Sequence, residues 1–333
     1  MYQLVNTDVF NYPRHDIFVL DILPVSTGFA ATASDQTLSL FDPLRLSQGP
    51  VKRLRTDHGN LTAAKVYDAA NSIICSTGEN GTVSVWDLRL DPGRAQALQI
   101  GGNQSSLLSL ACSNETNAIA AGTELADHQA SIIIWDLRSP SIPRTQFNEV
   151  HSDDITELTY HPTNPSLLLS GSTDGLVNIT DTSIADEDEA VQQTFNHGSV
   201  HRAGFLNETE VFAASHDEKF ALYDMAEQTH TGAATVDFGD VRTLLGCQYL
   251  AAVAPKLGGM GAVVGVGTHD QDMFQLFHLA KGTGGWVLDR ETVVGLPGAH
   301  ESELVRSFCF YDEQQLVFTA GEDGCVKAWR PGN

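Results

Sequence analysis

Basic side chains are scarce in this sequence of 333 residues. Lysine and arginine together number 19, against 42 aspartates and glutamates, so the formal net charge is −23. This balance argues against direct nucleic-acid binding, because neutralising phosphates requires a basic surface. A basic polypeptide is a more natural partner, although acidity by itself is also a common aid to solubility.

Long hydrophobic runs and paired cysteines are also missing. The most apolar tracts, residues 249–254 and 262–266, fall far short of the ~18 residues that a membrane span needs, so we expect no membrane association. The five cysteines form no Cys-x-x-Cys pair, which indicates reduced, mostly buried thiols and an intracellular address. Residues 1–16 show no basic segment followed by an apolar stretch, so we expect no signal peptide.

An internal repeat organises the chain. Each unit has a histidine, an apolar stretch, a turn, and two further apolar runs separated by Gly, Asn or Asp. The third runs end at intervals of 45, 49, 45, 43, 54 and 52 residues, at Asp42, Asp87, Asp136, Asp181, Asp224, His278 and Arg330. Seven such units with β-favouring composition and almost no helical periodicity predict four-stranded blades around an axis.

This pattern resembles the seven-bladed WD-repeat β-propeller family over essentially the whole chain. The segment HPTNPSLLLSGSTDGLVNITD is also similar to a narrower group, WD repeat-containing protein 89 and its fungal relatives. The resemblance implies an all-β fold in a single domain, 1–333. We expect residues 1–10 to form the outer strand of the last blade and so close the ring. The expected blades are about 15–55, 56–100, 101–146, 147–195, 196–235, 236–295 and 296–333.

Polar residues recur at fixed places in these units. In WD-repeat proteins a His, a Ser or Thr, an Asp and a Trp of one blade join in a hydrogen-bonded tetrad. The matching residues in this chain are His300, Thr319, Asp323 and Trp329; His58, Ser76, Asn80 and Trp86; and His151, Ser170 and Asp174, with Thr180 in place of Trp. Weaker matches are His197, Ala213, Asp217 and Tyr223, and His15, Ala31, Asp35 and Phe41. Recurrence in several blades favours a structural role over a single active site.

Acidic residues mark one face of the expected propeller. This face, called the top face below, is formed by the loops before each first strand and by the turns between second and third strands. Its predicted carboxylates are Asp16, Glu79, Asp153, Asp154, Asp240, Glu301, Glu303 and Glu322. Converging around the channel mouth, they would attract a Lys/Arg-rich segment; the alternative is ordinary solvated loop acids. The acidic run 186–189 should instead be a solvated loop on the opposite face or the rim.

The tetrapeptide Trp-Asp-x-Arg occurs twice, at residues 86–89 and 135–138. It resembles the box by which some propellers dock onto the adaptor of a cullin-type ubiquitin ligase. That resemblance would assign the adaptor contact to Arg89 and Arg138.

Motifs for catalysis are not found. The glycine-rich stretch 258–267 lacks the Lys-Ser/Thr of a phosphate loop and is better explained as a strand. His197 and His201 have a metal-like spacing only on a helix, and no Gly-x-Ser-x-Gly elbow is present. We therefore predict no metal and no cofactor.

The sequence predicts a non-enzymatic, monomeric scaffold in the nucleus or cytoplasm. Its acidic top face would bind a basic polypeptide such as a ribosomal protein or histone, as a chaperone or assembly factor. The alternative is a substrate receptor of a cullin-type ligase.

Overall fold

The computed structural model describes residues 1–14, 16–102, 105–226, 232–256, 258–269 and 272–332. The four strands of each blade run outward from a central channel. The inner strands are β2 (Val19–Val25), β6 (Leu61–Asp68), β10 (Leu107–Ser113), β14 (Ile155–Tyr160), β18 (Val200–Phe205), β22 (Tyr249–Pro255) and β26 (Val305–Tyr311). The second strands are β3 (Gly28–Ala33), β7 (Ile73–Gly78), β11 (Ala118–Thr123), β15 (Leu167–Ser172), β19 (Glu210–Ser215), β23 (Gly261–Thr268) and β27 (Leu316–Gly321).

The third strands are β4 (Thr37–Phe41), β8 (Thr82–Asp87), β12 (Ile132–Asp136), β16 (Leu176–Asp181), β20 (Lys219–Asp224), β24 (Met273–Gly282) and β28 (Cys325–Pro331). The outer strands are β5 (Lys52–Arg55), β9 (Gln96–Gly101), β13 (Thr145–Phe147), β17 (Val191–Asn196), β21 (Val236–Asp240), β25 (Gly285–Pro297) and, for the last blade, β1 (Tyr2–Asn11). Two short helices, α1 (Glu187–Ala190) and α2 (Val241–Leu245), lie between strands. No helix in the described part of the chain has the length and hydropathy to cross a membrane.

Strand β1 closes the ring. It pairs antiparallel with β28 from Leu4, opposite Pro331, to Asn11, opposite Cys325. Its first residues also pair in parallel with β25, so the sixth and seventh blades form one continuous sheet. The seven-bladed architecture and its closure by an N-terminal strand are thereby confirmed.

One expected blade boundary is wrong. The repeat spacing started the sixth blade at residue 236, but β21 is hydrogen-bonded to β20 and is the outer strand of the fifth blade. The sixth blade begins only at β22, because α2 and its flanking residues occupy the interval between them. The repeat spacing was misleading because it was measured between the ends of third strands. Such an interval does not show where the outer strand lies within it when the loops on either side of that strand are long.

A β-bulge recurs in all seven inner strands. The register shifts by one residue before Asp21 in β2, before Glu157 in β14 and at the equivalent point of the other five. A bulge leaves one residue outside the ladder and turns its side chain in a new direction. At this level hydroxyl groups bind the next blade: Thr156 Oγ1 donates to the Val200 carbonyl at 2.8 Å, and Ser109 Oγ donates to the Ile155 carbonyl at 2.7 Å.

Glycines in β23 make room for aromatic rings. A Cβ atom on Gly265 would lie 2.4 Å from the Phe308 ring, and one on Gly267 would lie 2.1 Å from Tyr249. The expected strand is therefore present in the glycine-rich stretch, from Gly261 onward. Gly265 thus permits close packing against the seventh blade, and Gly267 makes room for its cross-strand neighbour Tyr249 within the sixth blade.

Candidate functional site

The top face carries very little positive charge. Because neighbouring strands of each blade are antiparallel, the turns after the second strands and the loops before the inner strands lie at one end of the propeller. Among the described residues of these connections, Arg14 and Arg242 are the only arginines, and no lysine occurs. Both guanidinium groups are paired, Arg14 with Asp16 and Arg242 with Asp240.

Three of the eight predicted acids are compensated by a neighbouring arginine. Asp16 and Asp240 are the partners just described, and the hydrogen bond from Arg242 lowers the pKa of Asp240. The Asp240 carboxylate also caps α2, accepting a hydrogen bond from the Arg242 amide at 2.9 Å. Glu322 pairs with Arg306, which extends from the bulge of β26.

The other five acids have no basic partner among the described residues. Glu79 accepts hydrogen bonds from Asn60, and Asp154 accepts one from the Leu125 amide at 2.8 Å. Asp153, Glu301 and Glu303 complete this uncompensated set, which is called the open acids below. Sequence reasoning overlooked further acids in the same connections, although the same loop rule would have found them: Asp35, Asp57, Glu124, Asp127, Asp217 and Glu218.

The structure brings the tetrad residues of the last blade together. His300 Nδ1 lies 2.6 Å from Asp323, and His300 Nε2 lies 2.7 Å from Thr319 Oγ1. The Trp329 indole donates to the same hydroxyl at 2.9 Å. Since the carboxylate can only accept, Nδ1 carries a proton and donates, and a neutral ring then accepts from Thr319 through Nε2. The side chains of His300, Thr319 and Trp329 are all buried.

The second and fourth blades contain variants of this arrangement. His58 Nε2 lies 2.9 Å from Ser76, which accepts from the Trp86 indole at 2.7 Å, while Thr82 joins Asn80 beside His58 Nδ1. In the fourth blade, His151 contacts Asp174 at 3.0 Å and Ser170 at 2.7 Å. Thr180, at the place of the Trp, has a buried hydroxyl without a hydrogen-bond partner in the described part of the chain.

The weaker matches are not tetrads. His197 Nε2 donates to the Lys219 carbonyl at 3.1 Å, and Nδ1 lies 2.9 Å from the Tyr223 hydroxyl. The tyrosine thus reaches the histidine directly, and neither Asp217 nor Ala213 takes part. In the first blade His15 lies outside the described residues, and Asp35 instead accepts from Thr37 at 2.5 Å. Ala31 and Phe41 are both buried in the apolar core.

A pH-dependent stability test follows from Asp323. Burial acts to raise its pKa, but the hydrogen bond and electrostatic interaction with His300 outweigh this and lower the pKa to about 2. The carboxylate therefore stabilises the fold above pH ~4, and this stabilisation is lost as the pH falls towards 2. We expect Asp323→Asn to cost about 2 kcal/mol at pH 7 and almost nothing near pH 2. Denaturant unfolding at both pH values measures this, with the exposed Asp91→Asn as control; a pH-independent loss would contradict it.

The two Trp-Asp-x-Arg motifs lie at the opposite end, called the bottom face below. Arg89 is paired with Asp87 at 2.8 Å and also donates to Asn71, and Arg138 is paired with Asp136 at 2.6 Å. The hydrogen bond from Arg138 contributes most to lowering the pKa of Asp136 to about 2. Each arginine is thus held by the aspartate of its own motif and would have to leave it to bind an adaptor.

The acidic run 186–189 is more than a solvated loop. Residues Glu187–Ala190 form α1, with Asp186 as its N-cap, in the connection between the third and outer strands of the fourth blade. The Glu187 carboxylate accepts from the backbone amides of Asn148 and Glu149 at 2.7 Å, which ties this helix to the third blade. The other acids of the run are exposed.

The central channel holds a charged cluster that sequence reasoning missed. Lys65 on β6 reaches across the channel to Glu157 on β14, with 3.0 Å between the charged atoms. Arg202 on β18 lies 3.5 Å from the other Glu157 oxygen. Ser307 donates to Asp21 at 2.6 Å, and burial raises the pKa of Asp21. A charged residue within an apolar inner strand, next to the bulge, is the signal that could have revealed the cluster.

Metal chemistry has no visible basis in the described part of the chain. No group of three or more His, Cys, Asp or Glu side chains there could hold an ion. His197 uses both ring nitrogens in hydrogen bonds, and the His201 ring lies tilted beside His216 with 5.2 Å between ring centroids. Desolvation lowers the pKa of His201 to about 4.

Seven radial four-stranded blades are closed by a terminal strand, and the second and seventh contain His-Ser/Thr-Trp hydrogen bonds. These features define a β-propeller of the WD-repeat type. The family model described as "WD domain, G-beta repeat" matches residues 143–181 and 292–330. These two segments are WD repeats, and they fall mainly in the fourth and seventh blades of the propeller.

Several relatives are named as WD repeat-containing proteins. The chain is 29% identical to an uncharacterized WD repeat-containing protein of Schizosaccharomyces pombe, over 95% of this chain and 96% of that protein. It is also 29% identical to one of Saccharomyces cerevisiae, over 84% and 70%, and 24% identical to the WD repeat-containing protein 89 homolog of Dictyostelium discoideum, over 70% and 60%. A chain of the solved mitotic checkpoint complex shares the fold, with a TM-score of 0.72, 16% identity and coverage of 100% and 94%.

Proposed function

We propose that this protein is a non-enzymatic scaffold whose top face holds a Lys/Arg-rich segment of another protein. The observation that carries the proposal is the surplus of negative charge on that face. Its two arginines are already paired with aspartates, whereas the open acids have no basic partner in the described residues. A cationic segment would therefore meet carboxylates whose charge is not yet compensated.

The tetrads support this function by holding the open acids in place. His151 is followed by Asp153 and Asp154 in one loop, and His300 is followed by Glu301 and Glu303 in another. Both histidines are buried and hydrogen-bonded on both ring nitrogens. The carboxylates are therefore carried by anchored loops, which reduces the conformational entropy lost on binding.

The channel cluster restricts how a segment could bind. Because Lys65 and Glu157 bridge the channel below the mouth, a partner would lie across the mouth rather than pass through it. A segment in this position could contact the acids of the fourth and seventh blades together. A newly made ribosomal protein or a histone has suitable basic segments, and shielding them until handover would make this protein a nuclear or cytoplasmic chaperone.

Reversal of four open acids tests the proposal. We expect Asp153→Lys, Asp154→Lys, Glu301→Lys and Glu303→Lys together to weaken binding of a fluorescein-labelled 20-residue Lys/Arg peptide at least tenfold. Wild-type affinity should fall steeply between 50 and 300 mM salt, because salt screens the exposed Glu301 and Glu303 and, less strongly, the half-buried Asp153 and Asp154. Fluorescence anisotropy measures both effects.

The matched control makes the same change of net charge elsewhere. Asp91, Asp188, Glu189 and Glu208 are exposed residues of bottom-face connections, and all four would be replaced by lysine. This control should retain most of the affinity. Equal weakening by the two variants would show that net charge alone governs binding and would contradict a site on the top face.

A further inference from the structure

Exposed apolar side chains gather on the bottom-face connections of the first three blades. These connections join the third strand to the outer strand of each blade. Leu44 and Val51 lie in the first of them and are both 62% exposed. Leu90 in the second is 42% exposed, and Ile142 in the third is 71% exposed. Single exposed apolar residues are normal, but four on three successive loops form a pattern that needs an explanation.

Arginines are interleaved with these apolar residues. Arg45, Arg94 and Arg144 are exposed on the same three connections. Arg45 makes only a long contact of 3.9 Å with Asp42, and Arg94 and Arg144 form no ion pair among the described residues. The equivalent connection of the fourth blade, residues 182–190, has four acids and no base. The connections of the first three blades therefore carry exposed positive charge in a protein whose net charge is −23.

Hydrogen bonds join the first two connections, and packing links the start of the third to the second blade. The Lys52 ammonium donates to the carbonyls of Leu88, Arg89 and Leu90 at 2.8–2.9 Å, which fastens the first connection to the second. Leu137 at the start of the third connection packs in the same apolar cluster as Leu98 of β9. The surface formed by Leu44, Arg45, Val51, Leu90, Arg94, Ile142 and Arg144 is called the arginine–apolar surface below.

We propose that the arginine–apolar surface docks a partner segment that carries carboxylates beside bulky apolar residues. Apolar anchors would gain from leaving water, and guanidinium groups bind carboxylates in a planar, bidentate geometry. The arginines of the Trp-Asp-x-Arg motifs do not contribute, because they are held by their own aspartates. This surface is independent of the top face, so the protein would join two partners of opposite charge.

The net charge shapes the expected salt dependence. At long range an acidic segment is repelled by the rest of the protein, and this repulsion is screened beyond about 8 Å at physiological salt. Attraction to the arginines acts at contact, where the neighbouring apolar side chains would partly exclude water from the guanidinium–carboxylate pairs. Binding at the arginine–apolar surface should therefore change less with salt than binding at the top face.

A designed peptide pair tests the inference. The first probe is a fluorescein-labelled 16-residue peptide with four Leu, each followed by one Glu, and with Ser and Gly at its other positions. The second has Gln in place of Glu. Anisotropy titrations should show binding of the Glu peptide and at least tenfold weaker binding of the Gln peptide. Arg94→Glu with Arg144→Glu, and separately Leu90→Ser with Ile142→Ser, should each weaken the Glu peptide at least tenfold.

Controls separate this surface from an effect of net charge and from self-association. The variant Lys256→Glu with Arg290→Glu makes the same change of net charge at exposed residues of the sixth blade and should retain most of the affinity for the Glu peptide, and thermal unfolding should show all variants folded. Equal affinity for both peptides, or no loss in either surface variant, would overturn the proposal. Sedimentation that shows a dimer dispersed by Leu90→Ser with Ile142→Ser would assign the surface to a second copy and would overturn it too.

Discussion

Deletion of residues 1–10 is expected to lower the melting temperature by about 10 °C or more, because the ring then loses the strand that closes it. Strand β1 contributes its ladder to β28 and buries Leu4 against Trp329. Phe10 lies 5.0 Å from Phe41 of the first blade, measured between ring centroids. Burial of Leu4 is worth about 2 kcal/mol and that of the partly buried Phe10 about 1 kcal/mol, before the ladder hydrogen bonds are counted.

A peptide added in trans makes this result specific. The truncated protein would have an unpaired edge at β28, which is prone to aggregate. A synthetic peptide of residues 1–12 should restore the melting temperature in scanning fluorimetry, and the same peptide with Leu4→Ser and Phe10→Ser should not. Replacing the 53% exposed Val5 by Ser in the full chain is the matched mild control. An unchanged melting temperature after deletion would show that β1 does not hold the ring closed.

Replacement of Glu157 by Leu is expected to cost about 3 kcal/mol of stability. The carboxylate is only 8% exposed and compensates Lys65 and Arg202, whose side chains are 38% and 37% exposed. Removing it leaves two cations facing each other in the channel, although water can still reach both. This access places the effect at the lower end of values for broken buried ion pairs.

A double-mutant cycle isolates the ion pair. We expect Lys65→Met alone to cost about 1 kcal/mol, because Glu157 retains Arg202. The double variant should be more stable than Glu157→Leu alone, since one uncompensated cation is removed. Guanidinium unfolding measures the cycle. Additive losses would show that Lys65 and Glu157 do not interact across the channel.

The fold was predictable because its information is local and repeated. Each unit contains β-favouring runs separated by turn residues, and seven units leave little choice of architecture. The spacing from His to Asp was informative for the same reason, since both residues lie in neighbouring top-face connections of one blade. His300 and Asp323 are 23 residues apart and in contact, as are His151 and Asp174.

The charged channel cluster was not predictable in this way. Lys65 and Glu157 are 92 residues apart and lie two blades away from each other, so no repeat relates them. Which residues face the channel depends on the bulge in each inner strand, and a one-residue shift reverses the direction of every following side chain. The direct bond between Tyr223 and His197 was missed because a tyrosine hydroxyl reaches further than the indole nitrogen expected there.

Ring closure by β1 also sets an order of events during synthesis. Thr7 donates to the carbonyl of Ala328, a residue 321 positions later in the chain. While the ribosome is still translating the intervening blades, β1 has no β28 to pair with, and the propeller ring cannot close. The nascent chain therefore carries an unpaired strand until the final repeat emerges, and an unpaired strand is a site at which an incomplete chain can aggregate.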